Sequence, residues 1–169
     1  TGASSIRLAQ GLYALFGYGD ADTVLIMQQL RLPRALLGLM IGLTLGLSGA
    51  VLQGFLRNPL AEPGLVGISS SASLGAVLAI YTGFSAAFPL GLPLAALAGA
   101  LIAVIVVPAL AGSGGVLTVI LAGVAVSSFA SAMTSLALNL SPNPFAAPEI
   151  MFWMLGSLAY RPMTHVRIA

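Results

Sequence analysis

Apolar residues gather in this chain into four long blocks, at about 34–56, 65–84, 92–111 and 116–139, each closed by a cluster of helix-breaking residues. Blocks of that size match the roughly 20 residues an α-helix needs to cross a bilayer core. The breakers are Arg57 to Gly64 with its two prolines, Phe84 to Pro93, and the turn Gly112-Ser-Gly-Gly115. Pro33 suits the first turn of a helix starting near 34, where its missing N–H costs nothing, and Pro108 is placed to kink or end the third block. Residues 1–30 are mixed and read as an external, interfacial segment. Ile6, Leu8, Leu12, Leu15 and Phe16 predict a weakly amphipathic helix, Gly17 to Asp20 a turn, and Thr23 to Leu30 a short helix. Tyr13 and Tyr18 suit the headgroup region. Beyond the fourth block, Ser141 to Pro144 and Pro148 break the chain. A short outer helix at about 149–158 follows, with Phe152 and Trp153 expected to seat it at the interface, and Tyr160-Arg-Pro162 ends it.

Composition turns this pattern into a fold class. Charged residues make up 6% of the chain and hydrophobic ones 59%, and mean hydropathy is +1.06. A soluble domain needs about a quarter charged residues to face water, so the chain is predicted to be an all-α, polytopic transmembrane helical bundle forming a single domain over 1–169. Short connections make the four spans antiparallel neighbours. The six arginines are scattered, which leaves no basic patch for nucleic acid. The lack of cysteine excludes structural disulfides and thiolate metal sites. The chain begins at Thr1, and His165 to Ala169 read like the opening of another segment, so a fragment of a longer protein is expected.

Few residues carry candidate chemistry. Gly38, Gly42, Gly46, Ala50 and Gly54 recur at four-residue spacing and share one helical face, where a neighbouring backbone can come close. Arg31 and Arg34 flank Pro33 at the start of the first span. Counting loops in alternation puts Arg31, Arg34, Arg161 and Arg167 on one side and Arg57 on the other, so the positive-inside rule would make the Arg31 side cytoplasmic. Ser127, Ser131 and Ser135 form a small polar stripe that either lines a water-accessible path or bonds its own backbone in a packed interface. Gln53 reads as an interhelical hydrogen bond, and Glu62 as a partner for local backbone or Arg57. A single histidine, His165, without cysteines or paired acids makes no metal site. An intramembrane enzyme would need a cluster of acids, histidines or serine–base pairs. A channel or proton-coupled carrier would need charges inside the spans, and neither pattern is present.

Arg31-Leu-Pro-Arg34, the glycine-rich helix after it, and Gln53 through Arg57-Asn-Pro-Leu-Ala-Glu-Pro-Gly64 to Gly67 together resemble the permease family of ABC importers for iron–siderophores, haem and cobalamin. Leu121-Ala-Gly-Val-Ala125 and Phe152-Trp-Met-Leu-Gly-Ser157 agree with it. The resemblance implies a fragment, holding the second to fifth helices, of a permease of about ten helices in the bacterial inner membrane. Such a permease works as a dimer, expected here to be a homodimer, on two ATP-binding cassette subunits. These partners bind the ATP and Mg, so no cofactor is expected in this chain. A periplasmic or lipid-anchored binding protein delivers the substrate.

By the same resemblance Arg31 and Arg34 face outward and pair with acidic residues of that binding protein, which reverses the orientation given by the charge count. A planar guanidinium fork suits such bidentate pairing, and interfacial anchoring is the alternative. The helix macrodipole, unfavourable to cations at an N-terminus, argues against mere anchoring. Asn58, Pro59 and Leu60 correspond to a cytoplasmic gate, the alternative being a plain turn in which Asn58 bonds local backbone. Val116 and Leu117 stand at the family's second gate segment, where small hydroxyl residues are usual, which implies a more apolar constriction here.

Overall fold

A computed structural model describes residues 6–88, 90–141, 146–159 and 161–168, with Ala146 and Ile168 described by their backbone alone. The fold is helical, and three of its helices are long and apolar enough to cross a membrane. The chain divides into two compact units, Thr1–Gly46 with Ser157–Ala169, and Leu47–Gly156.

In the first unit, α1 (Leu8–Leu15) is followed by α2 (Ala21–Leu25), a π-helical turn at Ile26–Arg31, and α3 (Leu32–Leu56), whose last ten residues belong to the second unit. Residues 21–56 are one continuous helix of 36 residues, about 54 Å long at 1.5 Å per residue. This corrects the expectation that a helix begins at Pro33. A proline inside a helix leaves one carbonyl without its donor and crowds the turn before it. The π-helical turn directly upstream widens the helix where that crowding falls. Pro33 itself is fully buried. After Ser157 the described chain closes with α9 (Met163–Ile168).

The second unit packs α4 (Ile68–Tyr81), α5 (Phe84–Ala87), α6 (Gly91–Ala111), α7 (Val116–Asn139) and α8 (Ala146–Leu155). The block expected at about 65–84 is shorter as a helix. A 3₁₀ turn at Pro63–Val66 precedes it, Gly67 at φ +79 breaks the path, and Gly83 at φ +74 ends it. The 14 residues of α4 give about 21 Å of helix, short of a 30 Å hydrocarbon core. Pro108 stays within α6, which ends three residues later at Ala111. The breaker cluster expected at 142–144, Pro89 and Tyr160 lie outside the described residues.

Small residues hold this unit together. A methyl on Gly75 would collide with the Ala95 carbonyl, and one on Gly99 with the Ser71 carbonyl, so α4 and α6 meet backbone to backbone along a shared seam. Two apolar clusters close the ends. Val107, Ala111 and Ala122 form one, and Val77, Ile80, Ala137 and Ile150 the other. Trp153 packs against this second cluster, while Phe152 on the same helix is exposed.

Candidate functional site

The turn after α3 is built by its own backbone. Arg57 adopts a left-handed conformation, φ +49. Its N–H donates to Gly54 O at 3.4 Å, and the N–H of Asn58 reaches back to Gln53 O at 3.2 Å. This is a Schellman closure, which satisfies carbonyls that a helix end leaves open. The Asn58 side-chain carbonyl then accepts the Leu60 N–H at 2.9 Å, and Asn58 O accepts the Ala61 N–H at 3.1 Å. Pro59 between them keeps the helix from resuming. The Asn58 side-chain carbonyl thus bonds local backbone. Its effect is to fix Leu60, which is 81% exposed while neighbouring Ala61 is buried.

The sequence signatures on either side of α4 and α6 meet at this point. A methyl on Gly123, in the middle of the Leu121 to Ala125 motif, would lie 2.5 Å from Leu65 O, and one on Gly67 would lie 3.0 Å from Gly123 O. Glycine at both places lets α7 press against the chain that follows the Asn58 turn. At the start of α7, Val116 and Leu117 turn away from the unit's core, Leu117 being 70% exposed.

The serine stripe does not stay on one face. Four residues advance a helix by about 40° beyond a full turn, so Ser127 borders the buried side while Ser131 and Ser135 are exposed. Ser127 Oγ is buried and has no hydrogen-bond partner. Two further hydroxyls of α7 bond their own helix, Ser128 to Val124 O at 2.8 Å and the buried Thr134 to Ala130 O at 2.9 Å. Thr134, which adjoins the serine stripe in the sequence, is the α7 residue with a polar side chain that lies buried in the packed face. Beside it, α4, α6 and α7 enclose a groove of about 680 Å³ lined almost wholly by apolar side chains, among them Leu74, Ile102 and Phe129.

In the first unit Arg31 ends the π-helical turn and Arg34 follows in α3, three residues on and hence on the same side of the helix. Both sit well inside the continuous helix, so the macrodipole argument for their role falls away. Arg34 is exposed and Arg31 half-buried. The small-residue face of α3 has almost no cover within this chain. A methyl on Gly42, Gly46 or Gly54 would meet nothing within 4 Å, one on Gly38 only Leu158 at 3.9 Å, and Ala50 is exposed. Gln53 and Glu62 are also exposed. His165 Nε2 lies 3.5 Å from the Arg161 guanidinium. Among the described residues no group of three or more histidine or carboxylate side chains could hold a metal ion.

Comparison with known proteins adds four findings. The model of the FecCD transport family matches residues 1–169. The chain is 37% identical over 134 residues to the molybdate import system permease protein MolB of Haemophilus influenzae, covering 79% of this chain and 40% of that protein. It is 47% identical over 76 residues to the cobalamin import system permease protein BtuC of Halobacterium salinarum, covering 45% of this chain and 20% of the relative. A solved structure described as an inward-facing conformation of a metal-chelate type ABC transporter superposes with a TM-score of 0.79 at 32% identity, over 93% of this chain and 52% of that one. The chain therefore spans about half or less of the length of the proteins it matches.

Proposed function

This chain belongs to the FecCD transport family, and we propose that it is part of the membrane-spanning permease of an ABC importer carrying an iron chelate, haem or cobalamin into a bacterial cell. The observation that carries the reading is the turn after α3. A Schellman closure and the Asn58 clamp hold one large apolar side chain, Leu60, outward at the end of a membrane-length helix. A fixed apolar side chain at a helix end is what a gate needs, because it blocks a path by dewetting and opens by a small displacement.

In this reading Leu60, with Val116 and Leu117, forms the inner constriction. Arg31 and Arg34 receive an acidic surface of a substrate-binding protein at the outer mouth. The permease pairs with a second copy, two ATP-binding cassette subunits bind ATP and Mg and do the hydrolysis, and the assembly sits in the inner membrane. The substrate passes without covalent change. Small, weakly polar surfaces suit a bulky cargo that must be released at the far side.

The test is ATP hydrolysis by the full-length complex in vesicles, with its binding protein and a panel of ferric siderophores, haem, cobalamin and molybdate. One chelate is expected to raise hydrolysis and to accumulate inside. Stimulation by molybdate alone would move the cargo to oxyanions; molybdate is the substrate named for a relative whose match covers 79% of this chain. An assembled complex that responds to none of them would end the proposal.

A further inference from the structure

One surface of the first unit plays no part in this scheme. Helix α1 separates its apolar and polar sides far more sharply than α3, α4, α6, α7 or α8. Its inner side is small and polar and is held in place. Gly11 and Ala14 are buried, and a methyl on Gly11 would lie 3.3 Å from the tip of Met27. Gln28 Nε2 donates to the carbonyls of Leu15 at 3.1 Å and Ala14 at 3.5 Å, closing the open end of the helix. The outer side carries Leu8, Leu12 and Phe16, four residues apart, at 84%, 53% and 80% exposure. Tyr13 and Tyr18 beside them are exposed too.

The height of this helix follows from the one it is docked on. The uninterrupted apolar stretch of α3 begins at Ala35, directly after Arg34, so the arginines mark the edge of the hydrocarbon. Met27 and Gln28 lie about 10 Å further out at 1.5 Å per residue. The headgroup layer is roughly 5–8 Å deep on each side of the core. A helix about 10–12 Å across, centred at that level, has its lower face about 4–5 Å above the hydrocarbon edge, within the headgroup layer. An exposed apolar ridge flanked by tyrosines at headgroup height fits one occupant, the lipid itself.

We propose that α1 is an interfacial helix, lying along the membrane surface with Leu8, Leu12 and Phe16 turned into the headgroup layer, toward the outer ends of the acyl chains. Anchored there, it ties the Arg31 end of α3 to a set height above the bilayer. The proposal needs the chain to be a membrane protein and nothing about its cargo, so it stands or falls separately from the transport reading.

The test places nitroxide spin labels at Leu12→Cys, Phe16→Cys and Gln10→Cys, one at a time, in the full-length permease with its ATPase subunits, freed of other cysteines. The complex is reconstituted in vesicles of phosphatidylethanolamine and phosphatidylglycerol. Labels at 12 and 16 are expected to collide several-fold more with oxygen, which concentrates in lipid, than with a water-soluble nickel chelate, and the label at 10 to show the reverse. Should a label at 16 block assembly, Leu8→Cys takes its place. Labels at 12 and 16 that meet the nickel chelate as freely as the label at 10 would put this face in water, open to a soluble partner, and overturn the proposal. Labels shielded from both reagents would show a protein cover and overturn it equally.

Discussion

Arg57 is the residue where local chemistry and position disagree most. Among the described residues it alone carries a side chain at positive φ, a conformation that costs an ordinary residue about 1–2 kcal/mol. Glycine is the usual choice at this point of a Schellman motif. Arg57→Gly is therefore expected to stabilise the permease by about 0.5–1 kcal/mol after the entropy of the unfolded glycine is counted, read as a higher unfolding temperature in detergent. If the midpoint falls instead, the arginine holds its place through a contact of its side chain. Ser127 poses the opposite case. Its buried hydroxyl has no partner, and an unpaired buried polar group costs about 1–3 kcal/mol. Ser127→Ala should leave stability unchanged or raise it by about 1 kcal/mol; a clear loss would mean that the hydroxyl is bonded in the assembled complex. Neither feature was legible in the sequence. Pro59 announced that the helix must stop, but which residue turns left-handed depends on the hydrogen bonds to Gln53 and Gly54. For Asn58 the sequence left a gate contact and a bond to local backbone both open, and its side-chain carbonyl accepts the Leu60 N–H.

Between elements, the glycines that matter are not the ones that form a pattern. The five small residues of α3 recur every fourth place, yet they lie nearly bare in this chain, while Gly75, the one glycine of α4, and Gly99, inside α6, bring two backbones together. Periodicity reveals which residues share a side of a helix and says nothing about whether a neighbour is there to use it. An isolated glycine inside an apolar helix was the better signal, since it must have a packing reason to offset its cost. Gly99→Leu is expected to be severely destabilising, by more than about 3 kcal/mol, because the atoms it meets are main chain and cannot rotate aside. Loss of folded permease from membranes is the readout, and normal yield with unchanged thermal stability would show the seam to be looser than its geometry. Helix ends were legible where glycine and proline cluster, as on both sides of α6 and at the start of α7. The reach of the first long helix was not. Pro33 looks like a start, and only the π-helical turn upstream explains how the helix passes through it.

For the assembled molecule, the two ends of the first long helix give separate experiments. Arg31→Glu with Arg34→Glu is expected to weaken capture of the binding protein by at least tenfold while ATPase subunits still co-purify, since two reversed charges at an interface repel what they once attracted. Unchanged capture would remove the docking role. Leu60→Cys, crosslinked between two permease copies, should stop transport and be reversed by reduction. Continued transport through a fully crosslinked pair would place the pore elsewhere. The seam between α4 and α6 has a last consequence, for how such a chain is made. It joins helices separated in sequence only by the four-residue α5 and its turns, and its contacts demand no side-chain sorting. The pair can close as soon as α6 enters the bilayer, while later residues are still being synthesised. Each later helix then meets a finished hairpin, and the order of synthesis guards the assembly of this unit before its stability is ever called upon.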